Sequence, residues 1–201
     1  AAAVAAGVTV VRERVAAVPV PGAAVTVVAA GCGSAPLTGL PVRPVKGEVL
    51  RLRAPGGGPP GFRHMLRGYA DGRHVYLVPR ADGEVVVGAT AEERADGAVT
   101  AGGVLWLLRA AVDLVPELAE YELVEAVARH RPGTPDNAPV VGPLPGRPGV
   151  LVATGHHRHG IVLTPITADA VAALVSGEPP PADLAPFAPA RFRLREPVGS
   201  A

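Results

Sequence analysis

The segment from residue 150 to residue 165 constrains the fold most, because it contains three local signals in a row. An apolar run, Val-Leu-Val-Ala-Thr, ends at Gly155, four basic residues follow, and Gly160 precedes a second apolar stretch. This order predicts a buried strand, a tight turn and a helix that begins at Gly160. Free N–H groups at a helix N-terminus favour an anionic or electron-rich ligand. The Arg158 guanidinium in the turn can bind a carboxylate through two hydrogen bonds.

Composition limits the kinds of partner that need to be considered. The chain has 201 residues, of which 48% are hydrophobic and only 3% aromatic, so its core must be built mainly from Val, Leu and Ala. A net charge of +1 gives no argument for binding nucleic acid or an acidic membrane surface. The one cysteine, Cys32, excludes an internal disulfide and fits a reducing cytosol. Neither a signal peptide nor an apolar run of membrane-spanning length is evident, so we expect a cytoplasmic protein.

The two ends of the chain read as parts of an α/β layer. Residues 24–31 are almost continuously apolar, which predicts a strand covered on both faces. Residues 7–11 and 15–20 are rich in valine and predict short strands, the second joined to the apolar strand through a turn at Pro21 and Gly22. Residues 1–6 resemble the end of a helix, which suggests that the chain is a fragment of a longer protein.

The middle of the chain has a different pattern, of short alternating runs separated by turn signals. The dipeptides at residues 71–72 and 82–83 are both Asp-Gly, which predicts hairpins, so residues 45–90 read as an antiparallel meander. Residues 100–114 predict a helix with Thr100 as its N-cap. Residues 121–131 predict a long strand that returns to the sheet.

We therefore predict a mixed α/β (α+β) fold with an inserted antiparallel sheet. The expected divisions are residues 1–44 and 139–176 as two parts of a partial nucleotide-binding, Rossmann-like layer, and residues 45–138 as a substrate-binding sheet with its helix. Residues 177–201 are rich in Pro and Ala and end in an Arg-rich stretch at 191–195, so they predict a surface tail.

Two arginines at predicted strand ends form the first candidate site. Arg131 ends a strand and Arg158 lies in the basic turn, so the two side chains could hold one carboxylate between them. The alternative interpretation is that both are surface residues, because 18 of the 19 basic residues are Arg and charged side chains are mostly exposed.

A second candidate site is the strand at residues 74–80. Its period of two places His74 and Tyr76 on the same face, where they could line a polar pocket. The Tyr76 hydroxyl could bind a carboxylate or an amine. The alternative is an ordinary exposed face of a sheet.

Two further patterns argue against other chemistry. His156 and His159 have a spacing that a metal could use, but no carboxylate or cysteine cluster accompanies them and Arg158 would repel a cation, so we predict no metal site. Cys32 lies in a lone Gly-rich turn without an identifiable His and Asp set, which argues against nucleophilic catalysis.

Six motifs, taken in order, resemble the flavin-dependent amine oxidases of the D-amino-acid oxidase class. Each motif is weak alone, but six in the right order are fairly specific, and the resemblance spans roughly residues 7–176. The motifs are PVKGEVLRL at 44–52, HVYLVPR at 74–80, GEVVVGAT at 83–90, RPGTPD at 131–136, PVVG at 139–142 and GHHRHG at 155–160.

The resemblance implies FAD as cofactor and assigns roles to individual residues. Arg131 and Arg158 would hold the substrate carboxylate. Tyr76 and His74 would be the catalytic residues and would lie over the flavin on the substrate side. The residues that would contact the cofactor are Val15, Ala30, Gly31, His156, His157, Arg158, His159, Gly160, Ile161 and Val162.

The implied reaction is oxidative deamination of glycine or another small amine, in thiamine biosynthesis. Hydride passes to the flavin, the imine product hydrolyses, and dioxygen is reduced to hydrogen peroxide. The protein's part is positioning and electrostatics, and no side-chain base is required. The implied partners are the amine substrate and dioxygen, and the resemblance also implies a homo-oligomer.

The sequence departs from the family at one important point. It contains neither the Gly-x-Gly-x-x-Gly segment that binds the FAD pyrophosphate nor the acidic residue that follows it. We therefore expect that this polypeptide alone does not hold FAD. Two alternatives stay open at this stage: a non-catalytic remnant of the substrate domain, and a flavin dehydrogenase that uses an acceptor other than dioxygen.

Overall fold

The computed structural model describes residues 2–192 and divides the chain into two compact units. The first, here called the three-stranded unit, contains the residues up to Pro41, Pro139–Thr154 and the residues from Ile161 onward. The second, the five-stranded unit, contains Val42–Ala138 and Gly155–Gly160. Both helices and sheets are present, and the predicted mixed fold class is confirmed.

The three-stranded unit combines a small mixed sheet with helices. Its sheet has the order β1-β8-β7, in which β1 runs parallel to β8 and β7 runs antiparallel to β8. Consecutive residues of two of these strands are buried, as expected for a sheet covered on both faces: Val140 and Val141, and Val150, Leu151 and Val152. The elements are α1 (Ala2–Ala5), β1 (Thr26–Val28), α2 (Ser34–Thr38), β7 (Val140–Pro143), β8 (Val150–Thr154) and α4 (Thr164–Ser176).

The five-stranded unit is an antiparallel sheet with one long helix. The strand order is β3-β4-β5-β2-β6, and every neighbouring pair is antiparallel. The turn between β3 and β4 places Asp71 and Gly72 at φ values of 49° and 70°, as a tight primed hairpin turn requires. The elements are β2 (Arg43–Arg53), β3 (Leu66–Ala70), β4 (Arg73–Pro79), β5 (Glu84–Gly88), α3 (Ala101–Leu114) and β6 (Glu122–Gly133).

One face of this sheet is apolar and is covered by α3. The side chains at alternating positions of β2, β4 and β5 form the core together with Leu107, Ala110 and Ala111 of the helix. A fully buried Leu or Val contributes about 1.5–3 kcal/mol relative to exposure, so this face is the main source of stability in the unit. Because side chains alternate, the residues between the core positions, including Tyr76, point to the opposite face.

Several local predictions are confirmed. The helix at residues 100–114 is present, and the Thr100 hydroxyl accepts a hydrogen bond from the N–H of Gly103 at 3.1 Å, so Thr100 is the N-cap. The strand predicted at 150–154 has those bounds, and the strand predicted at 121–131 occupies Glu122–Gly133.

The predicted strands at residues 7–11 and 15–20, and the hairpin from 15 to 30, are wrong. Residues 8–17 are exposed and have no regular secondary structure. Pro19 and Pro21 have no N–H to donate to a ladder, and β1 pairs in parallel with β8 instead.

The helix predicted to begin at Gly160 begins at Thr164. Residues 160–163 form a turn closed by a hydrogen bond from the N–H of Thr164 to the carbonyl of Ile161, at 3.2 Å. Pro165 in the first turn fits the new start, because its missing N–H would have no partner inside the helix.

The C-terminal tail prediction is tested only in part. Ala185–Phe187 and Pro189–Arg191 form short 3₁₀ turns, and residues 193–195 of the Arg-rich stretch lie outside the described residues. Between residues 2 and 192, no helix is long and apolar enough to cross a membrane.

Candidate functional site

The guanidinium of Arg131 lies against the backbone of Gly47 on the neighbouring strand. Arg131 is paired with Val45 in the β2–β6 register, and a β-carbon on Gly47 would lie 2.6 Å from its Nη2. The Nη1 atom donates to the carbonyl of Thr90 at 3.3 Å. Arg131 therefore occupies a place that only a glycine at position 47 leaves open.

The turn at residues 155–160 is attached to the end of the same strand. The N–H of His157 donates to the carbonyl of Pro132 at 3.0 Å, and the N–H of His159 donates to the carbonyl of His156 at 2.8 Å. His157 has a φ of 48°, so the chain reverses sharply just before Arg158. This connection holds the basic turn beside Arg131.

Arg131 and Arg158 are close enough to repel each other. Burial lowers the pKa of Arg131, and the positive charge of Arg158 lowers it further, while Tyr76 acts in the opposite direction. No carboxylate in the described part of the chain forms an ion pair with either arginine. Two neighbouring guanidinium groups without a counter-charge are suited to bind an anion that enters from solution.

His157 lies near the same positive charges. Burial lowers its pKa first, and the charges of Arg158, Arg131, Arg43 and His159 lower it further. Arg43 differs from the other two arginines because it is paired with Glu93, at 2.9 Å between Nε and Oε2. The uncompensated charge is therefore concentrated at Arg131 and Arg158.

Tyr76 and His74 lie on the sheet face opposite the core. Tyr76 is half-buried and is the register partner of Gly88, and a β-carbon on Gly88 would lie 2.6 Å from its Cε2. His74 is exposed, and its Nε2 lies 2.8 Å from the Tyr69 hydroxyl. Tyr76 lies near Arg131 and lines a cavity with Arg158, and His74 lines the same cavity while it is hydrogen-bonded to Tyr69.

Two cavities of the five-stranded unit adjoin these residues. The smaller, of about 100 Å³, is lined by Arg67, His74, Val75, Tyr76, Ala89 and Arg158. The larger, of about 580 Å³, shares His74, Ala89 and Arg158 with the smaller one and extends along residues 90–92 to Thr100 and Trp106. Arg158 thus lines both cavities, and the smaller cavity has room for a small polar molecule.

The remaining predicted cofactor residues divide between the two units. Val15 lies in the irregular segment and is half-exposed. Ala30 and Gly31 follow β1 after one intervening residue, and the carbonyl of Gly31 accepts a hydrogen bond from the hydroxyl of Thr154 at the end of the parallel strand β8. In open α/β sheets, ligands bind at this carboxyl edge of the strands.

Among the described residues of the three-stranded unit, Ile161 and Val162 are the most exposed large apolar ones. They are 94% and 72% exposed, and they directly precede the first turn of α4. His156, half-buried, and Gly160 belong to the five-stranded unit. Burial lowers the pKa of His156, which favours a neutral imidazole.

Gly47, Gly88 and Thr90 were not among the residues selected from the sequence. The signal for the two glycines was present, because an isolated glycine inside an alternating run marks a close approach of another group. No sequence pattern marked Thr90, because its role depends on its backbone carbonyl. Only the folded structure directs that carbonyl at Arg131.

Comparison with known proteins shows which family the chain belongs to. A protein-family model described as FAD dependent oxidoreductase, abbreviated DAO, matches residues 1–174. The chain belongs to the DAO family of FAD-dependent oxidoreductases. The resemblance inferred from the six motifs is therefore confirmed, and FAD is the cofactor of the family.

Named members of the DAO family match most of this chain. Glycine oxidase of Pseudomonas aeruginosa is 40% identical over 152 residues, which cover 75% of this chain and 40% of that protein. The bifunctional protein ThiO/ThiG of Nostoc is 39% identical over 150 residues, 74% of this chain and 22% of that protein. The crystal structure of glycine oxidase from Geobacillus kaustophilus superimposes with a TM-score of 0.72 and 36% identity, covering 87% of this chain and 46% of that one. The chain thus spans less than half the length of these DAO proteins.

The described residues fit part of the site that a DAO family member needs for FAD. Gly31 has a φ of 55°, and no atom of the described chain lies within 4 Å of where its β-carbon would be, so a ligand can approach the backbone closely. The exposed Ile161 and Val162 provide apolar surface of the kind that a flavin ring covers.

Proposed function

We propose that this chain contributes the substrate-carboxylate site of an oxidase that deaminates glycine or another small amine. The observation that carries the proposal is the pair of uncompensated guanidinium groups, Arg131 and Arg158, next to Tyr76. An α-amino acid brings one carboxylate, which neutralises this charge, and its amine can remain near the phenol oxygen. The small cavity beside Tyr76 and Arg158 supports a short substrate.

Each of the three side chains has its own part in positioning the substrate. Arg131 would bind the carboxylate through two parallel hydrogen bonds, since its guanidinium is half-buried and held by the Thr90 carbonyl. Arg158 would add charge from the more exposed side. Tyr76, fixed over Gly88, would form the wall beside the α-carbon. Together they would restrict the amino acid to one orientation, which lowers the entropic part of the barrier.

FAD, when bound, would supply the oxidising power by accepting a hydride from the α-carbon and passing the electrons to dioxygen, which yields hydrogen peroxide. The residues proposed to hold it are Val15, Ala30, Gly31, residues 156–160, Ile161 and Val162. The protein's residues need only bind and orient, so the absence of an assigned side-chain base is consistent with this chemistry.

The likeness to ThiO/ThiG of Nostoc supports a place for this reaction in thiamine biosynthesis. A cytoplasmic location is part of the proposal. The likeness to glycine oxidases at up to 40% identity supports glycine as the first substrate to test.

The test is to express the complete reading frame that contains this chain and to measure three properties. We expect flavin absorbance in the purified protein, hydrogen peroxide on addition of glycine or sarcosine, and loss of glycine oxidation in Arg131→Leu. Flavin reduction by glycine without peroxide would indicate a dehydrogenase instead. A protein without flavin and without carboxylate binding would overturn the proposal in favour of a non-catalytic module.

A further inference from the structure

Lys46 is the only lysine of the chain, and it is completely buried. Its Nζ lies 3.0 Å from Oε1 of Glu48, 3.5 Å from Oδ1 of Asp96 and 3.7 Å from Oε2 of Glu92. These four residues are called the Lys46 cluster below. A buried ion pair contributes little net stability after the desolvation of its charges, so this arrangement points to a role beyond stability. The proposed function does not use it.

The carboxylate of Glu48 connects the Lys46 cluster to the start of α3. Its Oε1 accepts hydrogen bonds from the N–H of Thr100 at 2.9 Å and from the Thr100 hydroxyl at 3.1 Å. A β-carbon on Gly103 would lie 2.7 Å from the Glu48 carboxyl carbon, so the helix approaches the carboxylate closely. A negative charge at a helix N-terminus is favourable.

Residues 90–92 run along the same stretch of β2. The N–H of Lys46 donates to the carbonyl of Glu92 at 2.8 Å, and the N–H of Glu92 donates back at 3.0 Å. The N–H of Glu48 donates to the Thr90 hydroxyl at 2.9 Å, and that hydroxyl donates to Oε1 of Glu92 at 2.8 Å. Residues 90–92 are thus held to β2 by both backbone and side-chain bonds.

The residues of the tripeptide Lys46-Gly47-Glu48 point alternately to the two faces of the sheet. Lys46 and Glu48 point to the same face as the core residues Leu50 and Leu52, because side chains alternate along β2. Gly47 faces the other way and makes room for the Arg131 guanidinium. Arg131 in turn donates to the carbonyl of Thr90, in the segment that the Lys46 cluster holds.

We propose that the Lys46 cluster is a positioning element for Arg131. It fixes residues 90–92 against β2. The Thr90 carbonyl and the space left by the missing side chain of Gly47 then define one position for the Arg131 guanidinium. This inference rests on the proposed function insofar as Arg131 binds a substrate carboxylate. Lys46 touches neither Arg131 nor a substrate, and it acts through Glu92 and Thr90.

The charge state of the Lys46 cluster fits a constant positioning role. Burial lowers the pKa of Lys46, but the hydrogen bond and charge of Glu48, with the charges of Glu92 and Asp96, outweigh it and raise the pKa above its ordinary value. The pKa of Asp96 is lowered, first by its hydrogen bond with Arg94 and also by Lys46. Lys46 therefore stays protonated and Asp96 stays ionised near neutral pH.

The experiment compares the double variant Lys46→Met/Glu48→Gln with Leu52→Ala in the flavin-loaded protein from the complete reading frame. The double variant removes the buried ion pair, and the Gln oxygen can still accept from Thr100. Leu52→Ala is the matched control, since Leu52 is equally buried on the same face of β2 and outside the Lys46 cluster. The readouts are the Kd of glycolate from flavin difference spectra, the Tm, and amide exchange of residues 88–96.

We expect the double variant to raise the Kd of glycolate about tenfold and to speed amide exchange at residues 90–92. Leu52→Ala should lower Tm with a Kd within about twofold of wild type. Equal changes in Kd for the two variants, or unchanged exchange at 90–92, would overturn the positioning role. If the wild-type protein binds no glycolate, the proposed function fails, and the exchange data alone then decide whether the Lys46 cluster positions residues 90–92.

Discussion

The Tyr76 ring lies across the backbone of Gly88, its register partner on the neighbouring strand. The two residues are 12 positions apart, and the antiparallel β4–β5 pair brings them together. A glycine at 88 lets the ring fold over the strand instead of standing away from the sheet. The orientation of the proposed substrate wall therefore depends on the absence of a side chain.

We predict that Gly88→Ala displaces Tyr76. The new methyl group would overlap the phenol ring, and overpacking of this kind costs about 1–3 kcal/mol. We expect the KM for glycine to rise roughly tenfold, with a lower Tm. Steady-state kinetics and thermal unfolding measure both effects.

Gly97→Ala is the control for Gly88→Ala, because no atom of the described chain lies within 4 Å of the new methyl group at position 97. It should leave both the KM and the Tm near their wild-type values. A Gly88→Ala protein with wild-type KM would contradict the assigned position of Tyr76.

Arg131 is expected to dominate substrate binding. Loss of a charge-assisted bidentate contact in Arg131→Leu costs about 2–5 kcal/mol, which is roughly 30- to 5,000-fold in kcat/KM for glycine. Arg131→Lys keeps the charge but not the planar pair of donors, so we expect only partial recovery.

Arg109→Leu removes an exposed arginine from α3 and provides the control for the Arg131 variants. Its kcat/KM should change less than twofold. Equal losses in the Arg109 and Arg131 variants would mean that overall charge, rather than a specific contact, governs substrate capture.

The pH dependence of stability should contain a contribution from His157. Its pKa is lowered in the folded protein, so the unfolded chain binds more protons at pH values below its ordinary value of about 6.5. The free energy of unfolding then falls as the pH drops below about 6.5. His157→Asn, which tolerates the left-handed backbone at this position, should weaken that fall.

Urea unfolding at several pH values between about 5 and 8 measures the contribution of His157. His64→Gln, at an exposed histidine before β3, is the matched variant. An equal dependence of the free energy of unfolding on pH in the His157 and His64 variants would contradict the attribution of this contribution to His157 and the positive charges around it.

Thr100 is expected to stabilise α3 as its N-cap. Thr100→Ala removes the acceptor for the N–H of Gly103 and one donor to Glu48, and we expect a loss of about 1 kcal/mol in the free energy of unfolding. Thr100→Ser retains the hydroxyl and should recover most of the loss. Failure of the serine variant to do so would show that packing of the Thr100 methyl group matters more than capping.

Features that depend on neighbouring residues along the chain could be predicted well. The Asp-Gly turn at residues 71–72, the Thr100 cap and the strand at 150–154 follow from local backbone preferences and side-chain period. The wrong strand predictions at residues 7–11 and 15–20 also share a cause. Valine-rich residues 8–17 have strand propensity but pair with no other strand, and a strand requires a hydrogen-bonded partner.

The sequence by itself determined the Asp-Gly turn at residues 71–72, the Thr100 cap, the strand at 150–154 and, through six ordered motifs, the family. The tertiary structure decided the parallel pairing of β1 with β8, the proximity of Arg131 and Arg158, and the burial of the only lysine. Turns and caps depend on interactions within a few residues, so their signals are local. Arg131 and Arg158 are 27 positions apart, and Lys46 and Asp96 are 50 positions apart, so only the complete fold brings the members of each pair together.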